Sequence, residues 1–421
     1  MIKLKKKYGV LIPCLCLVFI ILFTSVSYRN LKTHYDKEKK YPVDNKSYEE
    51  DLKNENIRAR KKEETPLGDI KLNSLSAILM DADNRRVLYE KNGYEKRSMA
   101  STTKIMTCLV TLENANLDDV VTVSSYAAKM PDVQLNAREG EQYYLKDLLY
   151  SLMLESHNDV AVAIAERVGG TVEGFATMMN DRARSLNCMS TNFVTSNGLD
   201  AEGHYSTAED LARIAAYAIT NEQFIKITNA STHTFSEIKT GRTHTVSNKN
   251  KFLYMMDGAI GVKTGFTNKA GYCFVGAIKR SDRTLISVVL GCGWPPSRNL
   301  KWTDTKRLME YGIKNYQLKQ IFQPVDLDPI YVEDGQIPYE NLIIKGDMEI
   351  LLHKNETVNV DYDLPKVLIA PVEKNQVVGY ANYYINNTPY CEIPIYAEND
   401  IKKIDFSFCF RKIIQLWTAI Y

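Results

Sequence analysis

The chain lacks any surplus of charge. Its 421 residues carry 53 Lys and Arg against 51 Asp and Glu, a formal net charge of +2. A global field that would draw nucleic acid or a strongly charged partner is therefore absent. The eight cysteines are scattered and none forms a Cys-x-x-Cys pair, which argues against a zinc ribbon or a thioredoxin-like site. Familiar catalytic signatures are also missing. There is no Gly-x-Ser-x-Gly elbow and no His-Glu-x-x-His motif, and Val262 separates Gly261 from Lys263, so that stretch is no phosphate loop. The six histidines are isolated from one another. No metal and no cofactor is expected. Apolar residues make up 45% and charged residues 25%, the balance of a soluble globular protein, which excludes a disordered chain and a multi-span membrane protein. At roughly 150 residues per domain, the length accommodates two or three domains.

The ends of the chain differ in character from its middle. Lys3, Lys5, Lys6 and Lys7 precede an uncharged run from Tyr8 to Tyr28. This pattern predicts a signal peptide or signal anchor over residues 1–27, with Ser25-Val26-Ser27 as a small-x-small cleavage site. Residues 28–66 hold 11 Lys or Arg and 9 Asp or Glu with few large apolar groups. Such a segment cannot bury enough surface to fold, so 28–69 is expected to be a charged linker. At the other end, Phe406, Phe410, Ile413, Ile414 and Trp417 recur at helical spacing. That predicts an amphipathic helix over 401–421 lying in a membrane interface; the alternation of Ile404, Phe406, Phe408 and Phe410 leaves a terminal strand as the other reading.

Between these ends, strands are expected over 74–80 and 87–89, flanking a turn at residues 81–84. Helical stripes follow, ended in one case by Gly169-Gly170. Ser206-x-x-Glu209 reads as a capping box opening a further helix. From Ile260 the pattern returns to strands over 261–266, 272–279 and 284–290. Strands at both ends with helices between predict one antiparallel sheet plus a helical region, an α/β domain over 70–318. Short β-rich runs after Tyr316 predict a small all-β domain over 325–400. Cys108 and Cys273 fall in core-like patterns and are expected to be buried thiols.

Three short motifs stand in order: Ser101-x-x-Lys104, Ser156-His157-Asn158 and Lys263-Thr264-Gly265. Each has decoys. Ser236-x-x-Lys239, Ser190-x-Asn192, Ser297-x-Asn299 and Lys239-Thr240-Gly241 match as well. Context selects among them. Ser101 opens a helix with an apolar stripe, so Lys104 falls one turn away on the same face. Ser156 lies at the junction of two apolar helices, and Lys263 sits in an apolar strand.

The residue types suit acyl transfer. A serine hydroxyl attacks a carbonyl only if a neighbour takes its proton. A lysine at its ordinary pKa of about 10.4 is almost fully protonated at neutral pH. A helix N-terminus and a second ammonium, Lys263, would both push Lys104 toward the neutral base. The backbone N–H groups of Ser101 and Phe266 are candidate donors to an oxyanion. Lys263 and Thr264 offer a charge and a hydroxyl to a substrate carboxylate, and Gly265 leaves room for substrate along the strand. Asn158 can hold a peptide amide, and Ser156 can pass a proton to a leaving amine.

The ordered set is that of penicillin-binding proteins and serine β-lactamases. With the stretches 97–107, 198–211 and 257–272, the chain resembles the low-molecular-mass penicillin-binding proteins, D-alanyl-D-alanine carboxypeptidases of the peptidase S11 type. The resemblance is strong over 74–316 and weaker through 369–379. It implies a serine β-lactamase/DD-peptidase-like fold and export to the outer face of a bacterial cytoplasmic membrane. It also implies acyl-enzyme chemistry on the D-Ala-D-Ala end of peptidoglycan stem peptides, reaction with β-lactam antibiotics, and a C-terminal helix as the membrane partner. His157 stands where Gly is common in the family, and Phe266 where many members carry His. Lys249 matches a position that holds Arg in relatives and would also meet a substrate carboxylate. Two rivals share the motifs. A class A β-lactamase adds a Glu downstream of its Ser-x-Asn, but no Glu occurs from Gly174 to Ala201. A catalytically idle cell-wall-binding protein would be free to lose Ser101 or Lys104, and both are present.

Overall fold

The computed structural model describes residues 70–131 and 133–418. The signal or anchor expected over 1–27 and the linker expected over 28–69 lie outside the described residues.

The centre of the molecule is a five-stranded antiparallel sheet. Strands β1 (Ser76–Asp81), β2 (Val87–Lys91), β3 (Ala259–Thr267), β4 (Gly271–Arg280) and β5 (Arg283–Leu290) run in the order β2-β1-β5-β4-β3. The two ends of the segment thus meet in one sheet, with Ile78 of β1 opposite Val288 of β5. Both sheet faces are covered, and the alternation of side chains feeds two cores. Ile78, Met80, Val275, Ile286 and Val288 face the helical region. Ala77, Leu79, Phe274, Leu285 and Val289 face Trp302, Leu308 and Met309 of a single helix, Leu300–Asn315.

The helical region is built from α1 (Lys104–Asn114), α3 (Leu145–Leu154), α4 (Asn158–Gly169), α5 (Val172–Ser185) and α6 (Ala208–Ala218), with a short α2 (Ser125–Ala128). Ile105, Leu109, Leu148, Leu152, Ile164, Leu211 and Ile214 fill its interior. Each such side chain contributes roughly 1.5–3 kcal/mol when fully buried. Gly170 ends α4 at φ +75, a conformation that costs a glycine little. The cap of α6 differs from the expected box. Thr207, not Ser206, is the N-cap, and its hydroxyl accepts from the Asp210 N–H at 3.0 Å. Ser206 Oγ is engaged by Thr191 Oγ1 instead.

The strands that follow the helix Leu300–Asn315 form small sheets around a third core that includes Val332, Ile350, Tyr383 and Ile395. This is the all-β region. Strand β6 (Tyr316–Gln320) continues directly from helix 300–315 and pairs with the strand Glu349–His353, so it straddles residue 318. Arg86 reaches from the turn before β2 to the Leu351 carbonyl and the Glu356 carboxylate. The C-terminal segment Phe406–Thr418 is a helix, not a strand, with no buried residue. Phe406 and Trp417 are 82% and 74% exposed. No helix among the described residues is long and apolar enough to cross a membrane.

Candidate active site

The Ser101 turn is held from behind. Residues Ala100–Thr103 form a single 3-10 turn, and the α-helix begins only at Lys104. Ala100 takes a left-handed φ of +49. Gly198, at φ +84, lies so close that a Cβ there would sit 2.1 Å from the Ala100 carbonyl oxygen. Thr103 Oγ1 donates to that same carbonyl at 2.8 Å and lies 2.9 Å from His204 Nε2. His204 Nδ1 accepts from the Val194 N–H at 3.0 Å, so the ring hydrogen is on Nε2 and is donated to Thr103. Burial pushes this imidazole down to about 4, which keeps it neutral.

Lys104 is fully buried one turn beyond Ser101. Its Nζ lies 3.0 Å from Ser101 Oγ, donates to Asn158 Oδ1 at 2.8 Å, and donates to the Asn197 carbonyl. Desolvation holds its ammonium well below the ordinary lysine range; the Lys263 charge pushes the same way, and the Asp159 carboxylate opposes them. Asp159 spends its two oxygens on the Leu135 and Ala137 N–H groups, at 3.0 and 3.1 Å.

The turn between α3 and α4 supplies the second motif. Ser156 has φ +73, and its buried Oγ has no hydrogen-bond partner among the described residues. Asn158 opens α4. Its side-chain amide donates to the Pro131 carbonyl at 3.1 Å, which turns Oδ1 toward Lys104. His157 Nδ1 meets Ser151 Oγ at 2.7 Å.

The third motif lies on β3, the edge strand of the sheet. Lys263 is buried, and burial pushes its ammonium down to about 7. Its Nζ donates to the Thr264 carbonyl at 3.0 Å. A Cβ on Gly265 would lie 2.9 Å from the Ser101 nitrogen, so glycine is what allows the strand to approach the turn. Thr264 is half-buried, and Phe266 is exposed and tilted on Tyr272 with ring centroids 4.6 Å apart.

The decoys are elsewhere. Ser236 lies in the hairpin strand Thr232–Ser236, and the Lys239 and Thr240 N–H groups cap the Glu237 carboxylate in the following turn. Lys249 is paired with Glu155 at 3.0 Å. Two participants escaped the sequence. The Asn197 carbonyl and the Ala100–Gly198 contact involve backbone atoms, which every residue type carries. Only the stretch 198–211 hinted that this loop mattered. Cys108 and Cys273 are buried free thiols.

A half-buried serine beside a buried lysine at a helix start, an asparagine from a second helix and a Lys-Thr-Gly edge strand define a serine DD-peptidase of the penicillin-binding class. The family model for D-alanyl-D-alanine carboxypeptidases of peptidase S11 matches residues 59–293, and that for the C-terminal domain of penicillin-binding protein 5 matches 323–403. The chain belongs to the peptidase S11 D-alanyl-D-alanine carboxypeptidase family. It is 30% identical over 352 residues to the D-alanyl-D-alanine carboxypeptidase DacF of Bacillus subtilis, covering 82% of this chain and 90% of that protein. It is 30% identical over 350 residues to DacC of Escherichia coli, covering 78% and 84%. Penicillin-binding protein 5 from Haemophilus influenzae superposes with a TM-score of 0.68 at 27% identity, over 80% of this chain and all of that one. The Streptomyces K15 DD-transpeptidase superposes with a TM-score of 0.56 at 33% identity, over 59% and 100%.

Proposed function

We propose that the chain removes the terminal D-alanine from peptidoglycan stem pentapeptides through an acyl-enzyme on Ser101, and that β-lactams acylate the same serine. The observation that carries this reading is the hydrogen bonding of Lys104. A neutral amine has two N–H donors and one lone pair. Asn158 Oδ1 and the Asn197 carbonyl take the two donors, which leaves the lone pair for the Ser101 hydroxyl 3.0 Å away.

In the first step the Ser101 proton passes to Lys104 Nζ while Oγ bonds to the penultimate D-alanine carbonyl carbon. The oxyanion that forms is met by the Ser101 and Phe266 N–H groups. The C–N bond then breaks with its electron pair going to nitrogen. That nitrogen takes a proton from Ser156, which regains one from the Lys104 ammonium. Lys263 and Thr264 hold the free carboxylate of the departing D-alanine, Gly265 leaves space beside it, and Asn158 holds the stem-peptide amide. In the second step water attacks the ester carbon and gives a proton to Lys104 Nζ; the bond to Ser101 Oγ then breaks, and Lys104 returns that proton to Oγ, restoring both residues.

The lysine-led apolar start of the chain supports export to the outer face of a bacterial cytoplasmic membrane. The exposed aromatic stripe of the helix Phe406–Thr418 supports reversible attachment to that surface. The deciding experiment measures D-alanine released from a pentapeptide stem by mass spectrometry, with Ser101→Ala alongside. Release by wild type alone is expected, and release by the variant overturns the reading. Fluorescent penicillin separates the rivals: a persistent label on the peptide containing Ser101 is expected. A fleeting label would mark a β-lactamase, and no label an idle protein.

A further inference from the structure

Ser156 is strained and unexplained by its own contacts. A left-handed φ in a non-glycine residue persists only where the surroundings enforce it. Here both neighbours of Ser156 are anchored. The buried His157 ring meets Ser151 Oγ at 2.7 Å. The Glu155 carboxylate accepts the Ser247 N–H at 3.0 Å, pairs with the Lys249 ammonium at 3.0 Å, and lies 3.4 Å from His157 Nε2. The Lys249 N–H closes the set by donating to the Leu154 carbonyl at 3.1 Å. The turn between α3 and α4 is thus tied to the end of the hairpin strand Thr243–Ser247 and to Lys249 just beyond it. Burial pushes the Glu155 carboxyl up, but the Ser247 N–H and the Lys249 ammonium outweigh it and hold the group below its ordinary range.

We propose that Glu155 is a positioning residue for Ser156: tied to Ser247 and Lys249 and touching His157, its carboxylate fixes the turn so that the Ser156 hydroxyl is aimed at the leaving nitrogen. Lys249 then serves Glu155 rather than the substrate carboxylate. The inference rests on the proton-donor role given to Ser156 above.

The chemistry supplies a readout that a merely structural residue would not move. An amide nitrogen must gain a proton as its bond to carbon breaks. A thiolate leaves with its electron pair unprotonated, since an ordinary thiol has a pKa of about 8.5. Loss of aim at Ser156 therefore slows acylation by an amide and spares acylation by the matching thioester.

The test uses the full chain and measures kcat/KM for a D-Ala-D-Ala peptide and for its thioester analogue, with Tm recorded for each variant. Ser156→Ala and Glu155→Ala should each lose on the order of 10²-fold on the amide and only a few-fold on the thioester. Glu155→Gln should recover most of the amide rate, because its oxygen still accepts from Ser247 and Lys249. Lys249→Ala removes only an exposed ammonium and should shift the amide-to-thioester ratio the same way, by less. If Ser156→Ala is amide-selective but Glu155→Ala and Lys249→Ala keep the wild-type ratio, the positioning role is overturned. If Ser156→Ala is not amide-selective, the donor role of Ser156 falls and the inference with it, while labelling of Ser101 is unaffected. Should Glu155→Ala not fold, the ratio in Lys249→Ala decides.

Discussion

Gly265 and Ser101 are far apart in the chain, yet a Cβ on the glycine would stand 2.9 Å from the serine's backbone nitrogen. The edge strand and the nucleophile turn are in direct contact, and that nitrogen is one of the two oxyanion donors proposed above. Gly265→Ala must push the strand or the turn aside, because the opposing atom is backbone. We expect acylation by fluorescent penicillin to fall on the order of 10²-fold, as for a displacement of about 1 Å at a reacting group. An unchanged rate with an unchanged Tm would show that the contact is slack.

Lys104→Arg keeps a positive charge but cannot readily give up a proton. Acylation and D-alanine release should both fall by about two to four orders of magnitude, the range of a lost general base. Stopped-flow acylation near the wild-type rate would mean that another group takes the Ser101 proton.

Burial pushes Lys263 from an ordinary value of 10.5 down to about 7. Between those values the unfolded chain binds a proton that the folded protein refuses, so this group makes stability rise with pH. Lys263→Gln removes the effect. The variant should gain on wild type as pH falls from 10 to 7, read as the difference in urea midpoints. It should also relieve Lys104 of a like charge, so the acid limb of the acylation profile moves to higher pH. A midpoint difference that is flat across this window would contradict the assigned shift.

His204 gives a second window, at lower pH. Burial takes its imidazole from 6.5 to about 4. The unfolded state therefore binds more protons between these values, and the contribution of the neutral ring is lost as pH falls through them. His204→Gln should lose stability less steeply than wild type from pH 6.5 to 4. Parallel curves would place the acid sensitivity elsewhere.

The helix Phe406–Thr418 buries no side chain, so its removal should cost the folded body little. A chain ended after Ile404 should keep its Tm within about 1 °C and still react with penicillin, since surface changes away from special contacts usually stay within about 0.5 kcal/mol. The chain from residue 28 to its end should float with anionic vesicles and bind less in high salt. If it stays in the aqueous fraction at low salt, the helix is no anchor.

Residue type and order were enough to read the antiparallel sheet, the helical region, the β-rich tail and three motifs in sequence. Alternation and helical stripes report burial directly, and a strand with apolar neighbours separates Lys263 from Lys239. Local chemistry misplaced two helix starts by a few residues. The α-helix starts at Lys104 rather than Ser101, and Thr207 rather than Ser206 caps α6, because neighbouring hydroxyls look alike until their partners are placed. Only the tertiary structure decided what surrounds Lys104. The carbonyl of Asn197 has no signature in a sequence, since every residue carries one, and Lys263 acts on Lys104 only because the edge strand lies beside the turn. The same holds for Glu155, whose partners Ser247 and Lys249 are remote in the chain. Which backbone atoms and distant charges converge on a side chain is set by packing, and packing is a property of the whole chain rather than of any motif in it.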